Sequence, residues 1–106
     1  MNNNYGVFIS ALQNMNLVRI VFNSKEKGFI ERKCIPLDFG PWRNKLPERY
    51  HFFDLDSPDK PHPLSVQLED LQQIEVLDDK FSEATLASII TWKFNWHYKR
   101  DWGKFS

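Results

Sequence analysis

A chain of 106 residues holds enough sequence for a single core and too little for two. Its 14 Lys and Arg balance 14 Asp and Glu, so no whole-molecule field draws it to nucleic acid or an anionic membrane, and any electrostatic partner must be met by a local patch. The one cysteine, Cys34, excludes an internal disulfide, and no apolar run nears the roughly 20 residues of a membrane span. Met1-Asn2-Asn3-Asn4 lacks the charged and apolar regions of a secretion signal, so a cytoplasmic protein is expected. Nine Phe, four Trp and three Tyr exceed what one small core takes in, which places some rings at an interface or binding face.

From Tyr5 to Asn14, Tyr5, Phe8, Ile9 and Leu12 recur at helical spacing behind Asn4 as N-cap. Leu17 to Asn23 alternates with period two, which predicts a half-buried strand. Asn23 to Gly28 reads as a hairpin turn ending in a glycine able to take positive φ. A returning strand spans Phe29 to Ile35 and is expected to stop at Pro36. Leu37 to Pro47, with Gly40-Pro41-Trp42 and the polar Arg43, Asn44 and Lys45, reads as an exposed loop whose Trp42 either folds back as a lid or serves as a contact aromatic.

Tyr50 to Leu55 is apolar or aromatic on both faces, as a strand covered on two sides should be. Asp54 lies on the Tyr50 and Phe52 face, where a buried carboxylate would need Arg19 or Arg32. A stiff loop with Pro58, Pro61 and Pro63 follows. Strands at Leu64 to Leu68 and Gln73 to Leu77 flank a single 3₁₀ turn at Glu69-Asp70-Leu71. Ser82 then caps a helix predicted to run through residues 82–100, because Ala84 to Lys99 contains neither Gly nor Pro. On that helix Leu86, Ile90, Phe94 and Tyr98 form one stripe and Ile89, Trp92 and Trp96 a second.

No zinc spacing, P-loop, dinucleotide fingerprint or hydrolase elbow is present, so no metal, cofactor or catalysis is expected. Cys34 reads as a small core residue and His51 as a hydrogen-bonded structural histidine. The segment with chemical character is Trp92 to Phe105, where Trp92, Trp96, Tyr98 and Trp102 interleave with Lys93, His97, Lys99, Arg100 and Lys104. Three accounts fit it. Cations meet phosphates while rings stack on bases, with Arg43 and Lys45 assisting; or the rings meet a protein partner or a second copy; or they pack onto the chain's own barrel and first helix.

The order of these elements carries a resemblance. A leading helix, the Leu17 to Phe22 strand, a hairpin partner ending in Ile35-Pro36-Leu37, the aromatic Tyr50-His51-Phe52 and a closing Leu68 to Leu77 together resemble the WYL domain over about Tyr5 to Asp79. The resemblance implies an Sm-like or SH3-like β-barrel of the kind found in bacterial regulators and defence proteins, with a ligand-sensing or nucleic-acid-sensing role. The Trp-Tyr-Leu triplet falls on Tyr50-His51-Phe52, and Gln67 and Asp70 stand where the family tends to carry arginine. A carboxylate in place of a guanidinium reverses the sign of a site for anions.

The resulting expectation is a single domain over residues 1–106 that is mainly β with flanking helices. Helix and five-stranded bent antiparallel barrel occupy residues 5–79, and the long C-terminal helix residues 82–100. Its function is expected to be that of a non-enzymatic regulatory module binding a protein partner or a second copy through the aromatic C-terminal helix. Nucleic acid is the alternative, a membrane is not expected as a partner, and a small-molecule ligand stays open.

Overall fold

A computed structural model describes residues 3–43 and 45–106; the expectations placed on Met1, Asn2 and Asn44 lie outside the described residues. Helix α1 spans Asn4–Asn14 and is followed by strands β1 (Asn16–Asn23), β2 (Phe29–Trp42), β3 (Lys45–Asp54) and β4 (His62–Gln67). A 3₁₀ turn at Leu68–Asp70 leads into β5 (Leu71–Lys80), and α2 (Glu83–Ile89) and a last 3₁₀ turn at Gly103–Phe105 complete the order. No described helix is long and apolar enough to cross a membrane.

All neighbouring strands are antiparallel, in the order β4-β3-β2-β1-β5. The chain passes from β4 to β5 through only Leu68–Asp70, a path of about 15 Å at most from Gln67 to Leu71. A flat sheet would hold its two edges about 19 Å apart, so the sheet is curled. Lys25 in the β1–β2 turn lies 3.5 Å from Asp70 in the connection between β4 and β5. Pairing of β4 with β5 is not part of the ladder.

Local chemistry accounts for most boundaries. The turn before β2 closes with Ser24 N–H donating to the Gly28 carbonyl at 2.9 Å, and Gly28 has φ 77, which a side chain would disfavour. The first-helix expectation holds with its boundary moved one residue: Asn3 is the N-cap and Asn4, inside the helix, donates its amide to the Leu71 carbonyl at 3.0 Å. Phe8, Ala11 and Leu12 of α1 are fully buried with Val18, Ile20, Ile35 and Phe52 of the sheet. Phe8 meets the rings of Tyr50 and Phe52 edge-on at 5.0 and 5.3 Å. Helix α1 therefore covers the face of β3 that carries Tyr50 and Phe52, and His51 projects from the opposite face.

Two expectations need correction. Pro36 does not end β2, and most of the expected loop is strand: β2 runs on to Trp42, which pairs with Lys45 at the start of β3. Pro36 and Pro41 both sit beside shifts of register, and a bulge is one of the few places where a strand tolerates a residue without an N–H. The second correction is the long C-terminal helix. Ser82 caps α2 as expected, in a capping box with Thr85, but the helix ends at Ile89. Ile89-Ile90-Thr91 is a β-branched run and aromatic residues, His97 and Asn95 follow it, so helical propensity falls just where the next turns would form. From Ile90 to Trp102 the chain is an irregular arm, and the two stripes expected of one helix have no common axis.

Candidate functional site

The arm is fastened by one carboxylate. Asp38, nearly buried beside the β2 bulge, accepts through Oδ1 from Phe39 N–H and Tyr98 N–H, both at 2.9 Å, and through Oδ2 from His97 N–H at 2.9 Å. Arg100 Nη2 adds a charged donor to Oδ1 at 3.0 Å. The guanidinium also donates to the Leu37 carbonyl, and to the Tyr98 carbonyl from Nε at 3.0 Å and Nη2 at 2.7 Å. Its carbon lies 4.2 Å from the Trp96 ring centroid and 4.5 Å from that of Trp102. Burial pushes the Arg100 pKa down to about 10 while the Asp38 charge pulls it up, so it stays cationic at neutral pH. The arm thus satisfies backbone amides that a helix would have bonded internally, which is a physical reason for its irregular form.

Trp102, 1% exposed, donates its indole N–H to the Leu12 carbonyl at 2.8 Å and so joins the end of the arm to α1. Trp96 donates to the Phe105 carbonyl at 2.6 Å. The Phe94 ring stacks on Trp96 at 5.0 Å and meets Phe105 at a tilt at 5.8 Å. Most of the C-terminal rings therefore pack within the chain, as the third account of that segment has it.

Between the arm and the sheet lies a cleft of about 580 Å³, walled by Pro41, Trp42 and Arg43, by His51 of β3, by Leu64 and Ser65 of β4, and by the arm from Trp92 to His97. The end of β2 places Trp42 on one side and the arm places Trp92 on another, and these two indoles remain 46% and 39% exposed. Arg43 lies 5.3 Å over the Trp42 ring, and that ring is 5.9 Å from His51. At the inner end the His97 ring rests on Gly40, where an added Cβ would come within 2.7 Å of its Cγ. The carboxylate in this wall, Asp38, is consumed by its four donors. Among the described residues neither Arg43 nor Lys93 has an ion-pair partner, which leaves the cleft cationic.

On the sheet side of the cleft, His51 Nε2 lies 2.9 Å from the Gly40 carbonyl and Nδ1 lies 2.8 Å from Ser65 Oγ. His51 and Ser65 are directly opposite in the β3–β4 register, so the pair is set by the ladder itself. Burial holds the His51 pKa below its ordinary value.

Of the residues singled out in the sequence, Trp42, Arg43, His51, Phe52, Trp92, Lys93, Trp96 and His97 line this one cleft. Tyr50 turns its ring to α1 instead. Tyr98 accepts a hydrogen bond from Gln13 at 3.1 Å, Arg100 and Trp102 lie in the interior of the arm, and Lys99 and Lys104 are exposed away from the cleft. Arg32, not Arg19, meets Asp54, at 3.4 Å; Arg19 pairs with Glu31 and Glu75. Cys34 is fully buried and burial pushes its thiol pKa up, the environment of a packing residue rather than a nucleophile. Asp38 and Ser65 escaped the sequence reading, the first because it fell in a supposed loop and the second because a polar residue in an alternating strand looks like a solvent position. A second, polar cleft of about 490 Å³ lies beside the β1–β2 turn and includes Arg49, whose buried Nε has no hydrogen-bond partner among the described residues. No protein-family model matches the chain, and no curated protein matches it.

Proposed function

We propose that the protein is a binding module whose cleft receives a short segment of a partner protein carrying an apolar or aromatic side chain beside acidic ones. The observation that supports this is the pair of exposed indoles, Trp42 and Trp92, lining an apolar cleft whose unpaired charges are Arg43 and Lys93. Buried aromatic anchors with a cationic rim are the usual source of binding energy in protein recognition. The self-association reading loses its motive, because Ile89, Trp92 and Trp96 do not share a helix face. A bacterial and regulatory setting, and closure of the curled sheet into an SH3-like barrel, rest on the resemblance in layout to WYL domains.

Nucleic acid is the second reading, favoured by indoles next to cations. Arg43, Lys93 and the nearby Lys45 amount to two or three phosphate contacts, a salt slope of only about −2 for a single strand. Lys99, Arg100 and Lys104, which would have steepened it, point elsewhere or are buried. Magnitude therefore favours the peptide.

Selection from a random peptide display library tests the reading. Enriched peptides should combine an aromatic with acidic residues and should lose at least tenfold in affinity towards Trp42→Ala and Trp92→Ala. Failure to enrich any peptide, together with salt-sensitive binding of short single strands, would transfer the site to nucleic acid.

A further inference from the structure

The cleft wall holds a serine hydrogen-bonded to a histidine, Ser65 to His51. Gly40 offers His51 only a carbonyl oxygen, an acceptor, so Nε2 must carry the ring proton in the neutral imidazole. Nδ1 is then a bare lone pair, and the hydrogen bond at 2.8 Å can only be donated by the Ser65 hydroxyl. Here the backbone fixes the tautomer, and the half-buried serine at the cleft wall points its proton at a base that burial keeps neutral.

We propose that Ser65, activated by His51, accepts an acyl group from an activated ester bound in the cleft. The step balances without a cofactor. Ser65 Oγ bonds to the carbonyl carbon as its proton passes to His51 Nδ1, and the carbonyl oxygen becomes the oxyanion of a tetrahedral intermediate. That intermediate collapses, the carbon–oxygen bond to the leaving group breaks, and the departing alkoxide takes the proton back from Nδ1. The products are an acyl-serine and an alcohol. The developing negative charge lies in a cleft where, among the described residues, Arg43 and Lys93 have no ion-pair partner, cations that favour an oxyanion. Gly40 is a positioning residue that acts through the imidazole. The inference goes beyond peptide recognition and does not depend on it.

Incubation of the whole protein with p-nitrophenyl acetate and with a fluorophosphonate probe, followed by peptide mapping, gives the test. Modification at Ser65 is expected in the wild-type chain, slowed about 100-fold in His51→Gln and absent in Ser65→Ala. The rate should fall as pH drops through a value below 6.5, the ordinary imidazole pKa. Mapping on wild-type protein needs no variant, so a poorly folding substitution does not obscure the answer. Folded wild-type protein modified only at lysines, or Ser65 modified equally fast in His51→Gln, overturns the proposal. Loss of peptide binding with Ser65 still modified would dismiss the partner reading alone.

Discussion

Asp38 and Arg100, 62 positions apart in the chain, meet at 3.0 Å between Oδ1 and Nη2, with the guanidinium flanked by Trp96 and Trp102. Side-chain exposure is 9% for Asp38 and 0% for Arg100. Removing one member of a buried pair strands the other charge, at about 3–5 kcal/mol. Asp38→Ala is expected to lose that much in urea unfolding, a large share of a small domain's stability. Asp38→Leu combined with Arg100→Met should recover only part of the loss, because His97 and Tyr98 N–H still lack their acceptor. Full recovery in the double variant would mean that the charges matter and the backbone bonds do not.

The four tryptophans should separate into two classes. Trp102→Ala empties a buried site joined to α1 and should cost about 3–5 kcal/mol. Trp92→Ala removes a ring that is 39% exposed and should change stability by no more than about 0.5 kcal/mol. Thermal or urea denaturation of the two variants side by side checks the assignment of each ring to core or cleft.

Gly40→Ala drives a methyl to 2.7 Å from His97 Cγ. The ring must turn or the arm must lift, at about 1–3 kcal/mol. Adding His97→Ala should restore most of that, a coupling of more than about 0.5 kcal/mol in a double-mutant cycle. Additive losses would show that the clash is relieved elsewhere.

Stability should weaken in acid through His51. Burial lowers its folded-state pKa below 6.5, the ordinary value of the unfolded chain. The unfolded chain then binds more protons between the two values, so the stabilisation is complete above about pH 6.5 and is lost as pH falls through the folded pKa. Melting temperature measured from pH 8 to pH 5 should decline in wild-type protein and decline less steeply in His51→Gln. Parallel curves would place the acid sensitivity elsewhere.

Much of the sheet was legible because alternation and turn chemistry are local. The β1 strand, the turn ending at Gly28, the 3₁₀ corner after β4 and the Ser82 cap all follow from short-range rules. Asp54 was legible as a buried carboxylate needing Arg19 or Arg32, because strand register places side chains on faces. Pro36 misled because its cost disappears at a bulge, and no pattern in the strand announces one. The C-terminal helix misled for a tertiary reason: absence of Gly and Pro permits a helix, but Asp38 offers the His97 and Tyr98 amides an acceptor from another strand. Half of the cleft was visible as a list of aromatic and basic residues. Its geometry was not, since Trp42 and Trp92 come together only once the arm folds back.

A partner peptide should bind between the arm and the sheet. Amide chemical-shift mapping by NMR with a display-selected peptide tests it most directly. Shifts should concentrate at residues 40, 42, 43, 51, 64, 65 and 92–97. Shifts concentrated instead around Tyr5, Phe29, Leu68 and Val76, exposed apolar residues outside the cleft, would contradict it.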